Sequence, residues 1–272
     1  MRLAGWAALT ALLALAPVAL GADPFLSLDM AGRKSQVTRE QLLSRAQTID
    51  IPLDAAYRQA MKFRAVPLAV LLAGVDLPAD GVLEVVATDG FVAQIPLALV
   101  LARGADQAEA WLAIEPVDAP WPALSGKTLS AGPFYLVWLR PERAAIGAEQ
   151  WPYQIAALRS VDAPHKRWPQ LAVDAALPGD DPTRLGQALY VKHCIACHRL
   201  SGGGAASVGP DLNLPANPIE YFKPDALRRY IRDPKSLRHW PEQRMAGFDA
   251  AMLPEADLDA LIAYLAHMAG RK

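Results

Sequence analysis

The sequence predicts a chain of two folded parts, an α+β mixed-sheet domain over residues 23–161 and an all-α domain over residues 182–272. Three observations predict it. β-rich runs divided by Pro- and Gly-containing turns fill the first stretch. Apolar residues at helical spacing, with Pro opening the runs, fill the second. Between them, residues 162–181 carry Pro164, Pro169 and Pro178 and the cluster His165-Lys166-Arg167, which together read as a solvated linker. The chain has 272 residues, 53% of them hydrophobic, which is enough for two cores. A formal net charge of -1 gives no reason to expect nucleic acid or a general membrane surface as partner.

Residues 1–22 read as a secretory signal. Met1-Arg2 supplies the basic start, Leu3 to Leu20 the apolar middle, and Gly21-Ala22 the small residues before Asp23. The competing reading is an uncleaved anchor, since the run approaches the minimum for a spanning helix. Pro17 and Ala22 favour cleavage, whereas Leu20 is an imperfect residue for the site. A membrane enters the picture only if the segment is retained.

In the first block, Thr38-Arg39-Glu40-Gln41 is a capping box opening a short helix through Leu42 and Leu43. Pro67 to Ala73, closed by Gly74, reads as a second helix. Val82–Thr88 and Phe91–Ile95 flank Asp89-Gly90, a strong hairpin signal because that pair tolerates positive φ. Trp111–Ile114, Phe134–Trp138 and Gln154–Leu158 are further strands. Several stretches carry a resemblance: Phe63-Arg64-Ala65-Val66-Pro67-Leu68, Thr88-Asp89-Gly90-Phe91, Ile95-Pro96-Leu97, Gly132-Pro133-Phe134-Tyr135-Leu136-Val137-Trp138 and Trp151-Pro152-Tyr153-Gln154. In this order they resemble small proteins of the sulfite-oxidase fold, the oxidoreductase molybdopterin-binding domain. Catalytic members hold molybdenum through a cysteine thiolate, and this block contains no cysteine. The resemblance therefore implies the fold without its usual metal centre, and molybdopterin is not expected.

Both cysteines of the chain lie in His193-Cys194-Ile195-Ala196-Cys197-His198. A Cys-x-x-Cys-His run is the attachment pattern of a c-type haem. Thiols three positions apart sit about one helical turn apart, so both reach the vinyl groups of one porphyrin, and His198 falls under the iron as proximal ligand. A structural zinc site would need a second ligand pair. A thioredoxin-type dithiol would open a helix after a buried strand, whereas this pair closes a helical segment. One covalent haem c is the expected cofactor, and its attachment outside the bacterial cytoplasmic membrane agrees with the export signal and a periplasmic location.

Asp181-Pro182 caps and starts the helix that ends at the cysteines, with Gly186 and Tyr190 on one face. Ser201-Gly202-Gly203-Gly204 leads to Gly209-Pro210-Asp211-Leu212. Pro224 to Asp233 reads as a short helix stopped by Pro234, and Pro254 to Met268 as the clearest helix of the chain. Residues 182–272 so ordered resemble a class I cytochrome c. The resemblance implies that Gly186 and Tyr190 let the first helix cross closely over Tyr264 of the last. It implies that the carbonyl of Pro210, after Gly209, accepts the second ring proton of His198. It also implies a distal methionine ligand just before the last helix.

Met245 matches that position and Phe248 the nearby aromatic, while Ala246 stands where the family has proline. Met252 at the helix mouth, Met268 in its last turn, His239 in the same loop, His267 facing solvent and His193 inside the attachment run are worse placed. His/Met ligation raises the potential relative to bis-histidine and leaves no open site on the iron. The expected function is thus single-electron transfer. Its partners would be a periplasmic dehydrogenase or molybdoenzyme on one side and a terminal oxidase or another cytochrome on the other, with the first domain as docking module. The alternative is a two-centre molybdopterin–haem oxidoreductase acting on a small oxyanion or sulfoxide. A third reading keeps the first domain purely as a binding module in a stable complex.

Overall fold

A computed structural model describes residues 24–79 and 81–272, and the expected signal at residues 1–22 lies outside them. Nine strands, β1 (Phe25–Met30), β2 (Arg33–Thr38), β3 (Gln47–Ile51), β4 (Met61–Pro67), β5 (Val82–Ala87), β6 (Val92–Pro96), β7 (Glu109–Ile114), β8 (Phe134–Leu139) and β9 (Ile155–Val161), form the first region. They assemble as two sheets, ordered β2-β1-β9-β5-β6 and β3-β4-β7-β8. Among the described residues only the β1–β9 pairing is parallel; it joins the first strand of the region to the last. Short helices α1 (Arg39–Leu43), α2 (Leu68–Leu71) and α3 (Leu97–Val100) cover the turns.

The local chemistry accounts for these elements. At α1 the Thr38 hydroxyl accepts from Gln41 N–H while the Gln41 side chain accepts from Thr38 N–H, the reciprocal capping box read in the sequence. The hairpin forms where expected, with Gly90 at φ 91° in the turn. The helix expected over Pro67 to Ala73 is a single turn, because Pro67 ends β4 and the chain passes from strand to turn without room for more. A core from Leu26 to Leu158 fills the space between the sheets, with Phe63, Trp121, Phe134, Tyr135 and Trp138 among its members.

The second region is helical: α4 (Pro164–Arg167), α5 (Pro182–His193), α6 (Pro218–Tyr221), α7 (Pro224–Arg232) and α8 (Glu255–Ala269). The Asp181 side chain caps α5 by accepting from Thr183 N–H at 2.8 Å. The helices α5 and α8 cross so closely at Gly186 that a Cβ there would overlap the Ala260 carbonyl, and Tyr190 and Tyr264 pack beside the crossing with ring centroids 5.6 Å apart. No helix among the described residues is long and apolar enough to cross a membrane.

Residues 162–181 differ from the solvated spacer expected of them. Leu171 and Val173 are buried in the helical core, the Leu171 carbonyl accepts from Tyr264 O–H at 2.7 Å, and Arg167 is ion-paired at 2.6 Å to the buried Glu84 of β5. The physical reason is amphipathicity between the prolines: Trp168, Leu171 and Val173 supply apolar surface that the proline count conceals.

Candidate haem-attachment site

The end of α5 delivers the two thiols. Cys194 N–H donates to the Tyr190 carbonyl at 2.8 Å and His198 N–H to the Cys194 carbonyl at 2.8 Å, so one tight turn carries both cysteines and the histidine. Burial, reinforced by the charges of Glu149 and Cys197, pushes the Cys194 thiol up to about 12. Burial with Asp89 and Glu149 pushes Cys197 up to about 11. Protonated thiols of this kind do not suit a thiolate nucleophile or a thiolate-bound ion. Among the described residues no three His, Cys, Asp or Glu side chains gather as a metal cluster.

His198 is oriented from behind. Its Nδ1 lies 2.8 Å from the Pro210 carbonyl, which leaves Nε2 as the ring nitrogen free to ligate. The imidazole rests flat against Gly209, where any Cβ would overlap the ring. Burial lowers the pKa of His198, partly opposed by the Pro210 bond, and so favours the neutral ring that binds metals. The loop behind it is organised by Asp211, whose carboxylate accepts from the N–H groups of Ser201, Gly202, Asn213 and Leu214. That role escaped the sequence reading, although an Asp following Gly-Pro is a turn signal with this capacity.

Met245 is half-buried in the segment between α7 and α8. Without the family's proline, the segment is held by other means: Phe248 N–H donates to the Ile231 carbonyl at 3.0 Å, and Arg232 donates to the carbonyls of Phe248, Asp249 and Leu253 while pairing with Glu255 at 2.6 Å. A cavity of about 450 Å³ lies beside α7, lined by Phe222, Tyr230, Leu237, Arg238 and Trp240. Cys194, Cys197, His198 and Met245 are not among its lining residues.

The other candidate side chains have varied surroundings. His239 is exposed, Met268 is buried in the helical core, and the Met252 N–H is engaged by Asp249. His267, expected to face solvent, is half-buried, and its Nε2 accepts from Asp174 N–H at 3.1 Å, because residues 162–181 fold back over α8. His193 is buried, pairs with Glu149 of the sheet region and meets the Phe248 ring edge-on at 5.5 Å. Free thiols, an oriented neutral imidazole with a free Nε2, and a glycine cradle behind it together fit a covalently held haem.

Comparison with known proteins agrees with this geometry. The cytochrome c family model matches residues 183–269, so the helical region carries a cytochrome c domain. Over 80 residues the chain is 42% identical to the dihydro-heme d1 dehydrogenase of Pseudomonas aeruginosa. The match covers 29% of this chain and 14% of that protein, so the chain spans only a small part of the curated relative's length.

Proposed function

We propose that this protein is an exported, periplasmic electron carrier with one haem c joined to Cys194 and Cys197. His198 and Met245 would hold its iron, and Gly209 and Pro210 would support His198. Residues 23–161 form a sulfite-oxidase-like domain that holds no molybdopterin and serves as docking module. Residues 162–181 connect it to the cytochrome c domain at 182–272.

The observation that carries the reading is the His198 arrangement: Nδ1 tied to the Pro210 carbonyl, the ring against Gly209, and two neutral thiols on the preceding turn. Bound there, a haem would supply a one-electron ferric/ferrous couple. The Pro210 carbonyl fixes the tautomer and raises the basicity of Nε2. Arg232 holds the segment after Met245 through the Phe248 and Asp249 carbonyls, and Met245 would offer the iron a soft thioether. Redox partners follow from single-electron exchange. A dehydrogenase or molybdoenzyme would give electrons, and a terminal oxidase or another cytochrome would take them.

Elemental analysis of protein from a host that matures c-type haem and makes molybdopterin tests this reading. About one iron and no molybdenum per chain is expected. Stoichiometric molybdenum would replace it with the two-centre oxidoreductase. For the distal ligand, Met245→Ala should abolish the weak thioether-to-ferric-haem band at the red end of the spectrum and lower the midpoint potential. A spectrum that does not change moves the ligand to Met252 or His239.

A further inference from the structure

The sheet order leaves β6 at an edge, with backbone groups that its partner β5 does not use. The attachment run covers that edge. Val92 N–H donates to the carbonyl of Ala196, the residue directly before Cys197, at 3.0 Å. Ser207 N–H donates to the Gly90 carbonyl at 3.3 Å, and any Cβ on Gly90 would crowd the Ser207 hydroxyl. Pairing an open edge removes an aggregation liability. Here the covering segment is the one that bears both thiols.

A second, side-chain contact lies beside this edge. Glu149 Oε1 meets His193 Nδ1, and both side chains are almost wholly buried at 10% and 2% exposure. The other carboxylate oxygen of Glu149 is buried with no hydrogen-bond partner. Such a carboxylate is costly to bury unless it is paired, and His193 is the partner here. Its backbone is held in the turn Ala148–Gln150, where Gln150 Oε1 accepts from Gly147 N–H at 2.9 Å and the Gln150 carbonyl accepts from the Trp138 indole N–H at 2.7 Å. The sheet core therefore presents a rigid acid to the imidazole that precedes Cys194.

We propose that the sheet region is a built-in cap over the thioether edge of the haem, latched by Glu149 on His193 and by the β6 edge on Ala196, so that protein partners exchange electrons by another side. This rests on the electron-carrier reading for the haem itself, but the cap is a statement about this chain's own contacts. Glu149 acts as a positioning residue, through His193.

Hydrogen exchange on the purified holoprotein tests the cap without a variant. The amides of Val92 and Ser207 should be protected like those within the sheets, and exchange at the rate of open loop amides would overturn the proposal. Glu149→Ala should then raise exchange at both amides by about tenfold or more, the loss of one charge-assisted bond, and speed oxidation of the ferrous protein by ferricyanide. Val92→Pro, which removes the β6 donor at the start of an edge strand along with the buried Val92 side chain, should speed the same oxidation. Unchanged oxidation in both variants overturns the cap. Pyridine haemochrome on the same samples separates the two claims: absent haem defeats the electron-carrier reading, whereas unprotected amides in fully haem-loaded protein defeat the cap alone.

Discussion

In the sheet core, Phe63, Trp121 and Tyr135 pack edge to face with centroids 4.9 to 6.4 Å apart, and the Asp54 carboxylate that meets the Tyr135 hydroxyl is fully buried. In the helical core the fully buried polar side chains are two amides, Asn213 and Asn217. Asn213 donates to Ser201 Oγ and the Met268 carbonyl, and Asn217 to Asn213 Oδ1 and the Leu265 carbonyl. Asp54 Oδ1 accepts from Ala56 N–H, Tyr57 N–H and Tyr135 O–H, but Oδ2 has no partner. The helical core uses satisfied polar bonds and close backbone approach to fix a loop against α8. The sheet region leaves two buried carboxylate oxygens unmatched, Asp54 Oδ2 and Glu149 Oε2, and sets large aromatic surfaces around Asp54.

The sharpest way to break this contrast is to add bulk where the helices touch. Gly186→Val places side-chain atoms into the Ala260 carbonyl and against Tyr264 Cβ. The intrinsic gain in losing a helical glycine, roughly 1 kcal/mol for Ala, is smaller than the overpacking, expected to cost about 3 kcal/mol. Thermal unfolding followed at the haem should shift down strongly. An unfolding midpoint equal to that of the unaltered protein would show that α5 and α8 can separate without cost.

Asp54 tests the other core. Burial raises its pKa, opposed by the bonds from Tyr57, Tyr135 and Ala56. A carboxyl whose folded pKa exceeds its unfolded value binds more protons in the native state. Its contribution is greatest below the unfolded value of about 4 and is lost as pH rises through the folded value. Asp54→Asn keeps an acceptor for the three donors and carries no charge, so its advantage should grow as pH rises from 4 to 8. Asp54→Ala orphans the donors and should cost about 2 kcal/mol. Urea unfolding at pH 5 and 8 reads both, and a pH-independent Asp54→Asn effect would mean the carboxyl stays ionised.

What the sequence made legible follows the range of the interaction. Asp89-Gly90 and the Thr38 box are set by residues within a few positions and take their expected form, and the Cys-x-x-Cys-His run lies on one turn at the end of α5. The edge strand β2 is mostly polar and exposed, so no alternation marks it, and β1 is recognisable only with its turn at Ala31 and Gly32, both at positive φ. The β1–β9 pairing joins Leu28 to Leu158, a registry that no local pattern encodes. For the same reason Glu149 was silent: its partner His193 is 44 positions away. Leu171 and Val173 were hidden by neighbouring prolines, which mark a break in helices but say nothing about burial.

The two helix caps sharpen the comparison at the smallest scale. Thr38 caps α1 with a neutral hydroxyl at 3.2 Å from Gln41 N, whereas Asp181 caps α5 with a carboxylate whose pKa is lowered by its bonds to Thr183. Thr38→Ala should cost about 1 kcal/mol at every pH, with Thr38→Ser restoring most of it. The Asp181 cap has a lowered folded pKa, so its contribution is present above the unfolded value and disappears as pH falls through the folded one. Asp181→Ala should therefore destabilise at pH 7 and converge on the unaltered protein in acid, while the Thr38→Ala difference persists. Parallel unfolding series at pH 3 and 7 distinguish them, and a Thr38→Ala effect that also vanished in acid would show that the sheet-region helix depends on some ionised group other than its cap.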